Sequence, residues 1–234
     1  MITESSRGRK GYRADAGPPL VVLAAVSTGL LLAGLITSTV LAGTTFPSPF
    51  DAAGTVEAYF REQSAAVAVT AFATFASAVP LAIYAATVSA RLHNLGIRNP
   101  GATIALVGGV VAAAFLGLSG MLSWTLSRPA TAGDPAVVHA LQALTFMTGG
   151  PGHVVMLGLL VAGIAVPGLL AGLLPRRFAL AGLVIAAVSE LATFSLLFDA
   201  AIPLVPVGRF GGLIWLIAAA VLLPRRRGRA GARS

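Results

Sequence analysis

The sequence predicts an all-α membrane protein, a bundle of six transmembrane helices with one short interfacial helix at its outer face. Three observations lead there. Only 10% of the 234 residues are charged while 56% are hydrophobic, whereas a soluble domain of this size carries roughly 25% charged residues to cover its surface. Six separate stretches are apolar for the ~20 residues a helix needs to cross the ~30 Å hydrocarbon core; they fall at about 20–43, 64–90, 102–127, 150–173, 178–199 and 204–223. The basic residues, finally, alternate with these stretches. Thirteen of the 16 lysines and arginines precede span 1, follow span 6, or lie between spans 2 and 3 or 4 and 5. The opposite loops hold Arg61 and Arg128 beside Asp51, Glu57, Glu62, Asp134 and Asp199. Positive loops stay cytoplasmic, so both termini are expected in the cytoplasm, as an even number of spans requires. The arginine-dominated basic set and the abundance of Ala and Gly point to a GC-rich bacterial genome, and hence to an inner membrane.

The elements follow in order. Residues 1–19 form a basic segment carrying Arg7, Arg9, Lys10 and Arg13. Span 1 begins after Pro18 and Pro19. A basic start and a long apolar run also describe a secretory signal, but this run exceeds the usual 7–15 residues, which favours a retained anchor over a cleaved leader. "FDAAGTVEAYFREQS" (50–64) is expected to form a short helix feeding span 2, with Asp51 as its N-cap. Asp134 and Pro135 start another helix as cap and first residue. Its apolar residues Val137, Val138, Leu141, Leu144 and Met147 fall on one face, with His139 and Gln142 off it. From Pro135 to Leu173 is too long for one span at 1.5 Å per residue, and "GGPG" (149–152) is the natural break. Residues 135–148 therefore read as an interfacial helix, with a re-entrant half-helix as the alternative. Residues 224–234 form a basic tail, which would attract anionic lipid headgroups at the cytoplasmic face.

Small residues recur at helical spacing inside the spans. Span 2 repeats Ala66, Thr70, Thr74, Ala78, Ala82, Ala86 and Ala90, and span 3 carries Ala105, Gly109, Ala113 and Gly117. Such ridges let helices approach closely in lipid. Pro80 and Pro167 lie inside spans and are expected to kink them.

Few residues carry chemistry. Glu190 lies within span 5 on one ridge with Gly182 and Ala186, about 13 Å below Asp199 along a helix. A carboxylate at that depth is costly unless it is paired, protonated or hydrated. Arg209 enters span 6 from the same side and is its expected partner. Glu190, Arg209, Asp199 and His153 are thus the candidate polar site. His139 and His153 lie 14 residues apart, but two-histidine haem ligation needs partner histidines on a facing helix, and there are none. A zinc site from these histidines and an outer acid lacks supporting spacing. There is no cysteine, which excludes thiolate metal sites, disulfides and thiol catalysis. Walker, Rossmann and Gly-x-Ser-x-Gly patterns are missing as well. No cofactor, catalytic group or nucleic-acid partner is expected.

The segments "FDAAGTVEAYF", "PLAIYAATVSARL", "LLPRRFALAGLV" and "GRFGGLIWLIAAAVLLP", in that order, resemble a family of bacterial six-span membrane proteins of unknown function. The resemblance would cover most of residues 20–224 and implies topology without an activity. Many such proteins carry an acid near the start of the last span, where this chain has Arg209. The expectation is a non-enzymatic structural or accessory component. The alternative is a small transporter or channel using Glu190 as a proton or cation site.

Overall fold

A computed structural model describes residues 18–48 and 50–224. The basic segment before them and the arginine-rich tail after them lie outside the described residues. Every regular element among the described residues is helical, and six stretches are long and apolar enough to cross a membrane. In order, the α-helices among the described residues are α1 (Leu20–Ala42), α2 (Ala53–Glu62), α3 (Ser64–Asn94), α4 (Gly101–Leu126), α5 (Pro129–Ala132), α6 (Pro135–Met147), α7 (His153–Leu170), α8 (Arg176–Leu191) and α9 (Leu204–Leu222).

The long helices form a ring in the order α1, α3, α4, α7, α8, α9, with α9 returning against α1 and also touching α7. Leu20, Leu223 and Arg91 flank one cleft, so the start of α1 and the end of α9 meet at one end of the bundle, here the terminal end. Small residues set the closest approaches. A β-carbon on Gly109 would collide with that of Ala85 on α3, and one on Gly108 would lie 2.7 Å from the Leu160 nitrogen on α7. Adjacent glycines on α4 therefore admit a neighbour on each side. Ala105 and Ala113 of the expected ridge are buried as well. The four-residue row of α3 behaves differently. Ala66, Thr70 and Ala78 are buried, but Ala86 and Ala90 are exposed. With 3.6 residues per turn, steps of four wind about 40° around the helix each time, and the row leaves the interface. The buried face continues instead through Leu81, Tyr84, Ala85, Val88 and Leu92.

Farther round the ring, Ser189 of α8 sits between Gly158 of α7 and Gly208 of α9, each too close to accept a β-carbon without displacement. Trp215 of α9 stacks on Phe178 at 5.0 Å between ring centroids, and its Nε1 donates to the Phe178 carbonyl at 3.0 Å. Gly182 leaves room for that indole. Tyr84 reaches across the ring and donates to the Leu216 carbonyl at 3.1 Å.

The far end is capped by α2, α5 and α6. Val56, Tyr59, Phe60, Val67, Leu126 and Val138 form a separate apolar cluster, with Phe46 packed edge-on against Tyr59 and Phe60. Burial there pushes the Tyr59 phenol above its ordinary pKa. His139 Nε2 and Glu57 Oε1 meet at 3.1 Å and join α6 to α2.

Two sequence expectations change here. The helix at 53–62 is present, but its N-cap is Ala52 and not Asp51. The Asp51 carboxylate instead accepts from the Ser48 backbone at 2.7 Å, closing a turn one step earlier. Asp134 does cap α6, accepting from Ala136 and Val137 at 3.0 and 3.3 Å. The expected apolar face of α6 is divided, however. Val138, Gln142 and Thr145 are buried, while Val137, Leu144 and Met147 are exposed. An apolar stripe faces the core in water, but in lipid it can face outward and leave the polar stripe to the bundle. The break at 149–152 is a π-helical turn, Thr148–Gly152, with Gly150 at φ −83° and ψ −107°.

Candidate functional site, a cavity beside Arg209

The π-helical turn explains the site. In a regular α-helix the Gly149 carbonyl would accept from the amide of His153. Here that amide turns to the Thr148 and Gly150 carbonyls instead. The Gly149 oxygen loses that bond, and Arg209 Nη2 donates to it from α9. Glycine at 149 leaves room for Ser119 of α4, whose Oγ a β-carbon would displace. That hydroxyl in turn donates to the Thr145 carbonyl at 3.0 Å, tying α4 to the end of α6.

Arg209 gains its position from the residue before it. Gly208 lies against Ser189 and Val154, which draws α9 onto α7 and α8 and turns the next side chain toward the inside of the ring. The guanidinium borders a cavity of about 320 Å³ at the far half of the bundle. Thr70 and Thr74 of α3, Ser119 and Ser123 of α4, and Gln142 and Thr145 of α6 contribute its polar wall. Leu31 and Leu35 of α1, Leu116, Phe146, Val205 and Phe210 contribute its apolar one, and the 46–48 loop covers it. Gln142 is 2% exposed. Its Nε2 donates to the Pro47 carbonyl at 3.2 Å, holding that loop, while its Oε1 finds no partner among the described residues. Arg209 Nε and Thr145 Oγ1 are likewise without partners there. Among the described residues, no Asp or Glu lines the cavity.

The four sequence candidates separate. His153 is fully buried, one turn beyond Gly149, and its Nδ1 lies 2.9 Å from the Ala112 carbonyl. A carbonyl only accepts, so Nδ1 carries the proton and Nε2 the lone pair; Nε2 finds no partner among the described residues. His139 stands with Glu57 in the cap, apart from His153, so the two histidines and an outer acid do not converge on a metal position. Asp199 is exposed, at the start of a single 3₁₀ turn. Glu190 lies one residue past the buried row Ala179, Gly182, Ala186, Ser189 and is partly exposed at its margin. Its Oε1 faces Gly158 and has no hydrogen-bond partner among the described residues. No salt bridge joins Glu190 to Arg209 among those residues, and the cavity does not include Glu190. The expected pair is not formed, because Arg209 turns toward the Gly149 carbonyl.

Sequence reasoning did not single out Gln142, Ser119 or Thr145 as site residues. A signal was present in the i, i+3 spacing of Gln142 and Thr145, a polar stripe on a helix whose opposite face is apolar. Compared with known proteins, the chain matches no family model, no curated protein and no solved structure.

Proposed function

We propose that the protein is a non-enzymatic accessory component of a bacterial inner membrane that holds an anionic ligand in the cavity beside Arg209. In this reading both termini are cytoplasmic, the cavity lies in the outer half of the bilayer, and α6 and the cap rest at the outer interface. The observation that carries it is a guanidinium facing a cavity with no carboxylate beside it. A cation inside a span is expensive and is ordinarily paired or hydrated. One backbone carbonyl supplies a dipole but no compensating charge, so an anion on Arg209 meets an unfilled electrostatic need. Transport of protons or cations through Glu190 is less well supported, since the cavity adjoins the arginine and not the glutamate.

The chain contains no cysteine, which permits a clean occupancy test. Thr74→Cys places a thiol in the cavity wall, and Val88→Cys places one in the packed core. In native membranes a small permeant thiol reagent is expected to label Thr74→Cys slowly, and faster once Arg209→Gln is added. Val88→Cys should stay unlabelled in both. Equal labelling of Thr74→Cys with and without Arg209 would contradict ligand binding at this position.

A further inference from the structure

We infer that the ligand is an amphiphile entering sideways from the bilayer, with an oxyanion headgroup on Arg209 and a hydroxyl or ammonium donor on Gln142. This rests on the reading of Arg209 as an anion site and adds to it the kind of molecule and its route.

The route follows from how α1 and α9 meet. At the terminal end both helices are locked into the core, through Leu20 and Ala24 on one and Leu216 and Ala219 on the other. Toward the far end the cavity lies between them, bounded by Leu35 on α1 and by Pro206, Arg209 and Phe210 on α9. Pro206 and Phe210 are exposed and Leu35 is half-buried. A path with this lining favours an acyl chain and repels a hydrated ion, which would have to shed water without compensation.

The polar wall specifies the headgroup. Arg209 Nε is a donor that needs an acceptor, and its charge needs an anion. Gln142 Oε1 is an acceptor that needs a donor, and its amide is oriented by the bond from Nε2 to the Pro47 carbonyl. Both atoms lie on groups lining one cavity. A phosphodiester bearing a hydroxyl meets both needs once the two side chains turn these buried atoms toward it. A choline ester supplies the phosphate but no donor.

The test uses full-length protein, delipidated by washing in neutral maltoside detergent, with thermal unfolding as the readout. Dihexanoylphosphatidylglycerol is the probe; dihexanoylphosphatidylcholine, glycerol 3-phosphate and inorganic phosphate are the comparisons. The expected result is a saturable rise in Tm of roughly 5–10 °C with the phosphatidylglycerol at about 100 times its Kd. A smaller rise is expected with the phosphatidylcholine and almost none with the soluble phosphates. Arg209→Gln should abolish the response, and Gln142→Leu should erase the preference for phosphatidylglycerol over phosphatidylcholine. An equal rise with soluble phosphate would overturn the amphiphile while leaving the anion site standing. An equal lipid response in folded Arg209→Gln, or no response to any probe in folded wild type, would overturn the site itself. Should Arg209→Gln elute as aggregate, Gln142→Leu decides the matter, since a retained preference contradicts the assigned headgroup contact.

Discussion

Arg209 and Glu190 show how far single residues can be read from a span. That both matter electrostatically was legible, because a charge in an apolar run stands out. Their partners were not. Which way a side chain leaves its helix depends on packing one residue away, at Gly208 for the arginine and at Ser189 for the glutamate. A carbonyl released by a π-helical turn, moreover, leaves no trace in residue type. With no salt bridge between them, Glu190→Gln is expected to change stability by no more than about 0.5 kcal/mol. Arg209→Gln should have the same effect in the wild type and in a Glu190→Gln background, within about 0.5 kcal/mol. Chemical unfolding in detergent of the four proteins checks both points; a coupling above about 1 kcal/mol would restore the ion pair. His153 has the opposite character. It fills a fully buried position and bonds α7 to α4, so His153→Ala is expected to cost about 2–5 kcal/mol, as emptying a large core site does.

At the level of elements, six apolar helices followed from hydropathy and the start of α6 from Asp134, because apolar length and a cap act locally, whereas α8 ends at Leu191, short of the expected 199. Facing was harder. The α4 ridge was readable because Gly109, with Ala85 against it, leaves no alternative partner surface. The α6 face was legible in part: Val137, Leu144 and Met147 stay outside the bundle as an interfacial helix requires, but Val138 turns inward with Gln142 and Thr145. These readings are separately testable. Gly109→Leu is expected to destabilise the bundle by at least about 1–3 kcal/mol through overpacking, whereas Val110→Leu, at a position 44% exposed, should be nearly neutral. Folded yield after detergent extraction distinguishes them, and equal tolerance would place the ridge toward lipid. On α6, Leu144→Ser at the exposed face should cost less stability than Thr145→Leu at the cavity wall. The reverse order would return the apolar stripe to the core.

For the whole molecule, six apolar helices and the placing of the start of α1 and the end of α9 at one end of the bundle were within reach of composition, span length and charge distribution. The cavity was not, since it arises from five helices, a loop and a broken turn brought together by packing. Orientation in the membrane is checked by reporter fusions. Those at Arg98, Arg177 and the C-terminus are expected to report cytoplasm, and those at Gly54 and Gly133 the periplasm, because thirteen basic residues fall in alternate loops and the two terminal segments of the sequence. A periplasmic C-terminus would remove the outer-half placement of Arg209. The central claim, that Arg209 holds an anionic ligand, is tested most directly by native mass spectrometry of protein released gently from its own membrane. Wild type is expected to carry one tightly retained adduct that folded Arg209→Gln lacks. Identical adduct patterns in the two proteins would contradict the account.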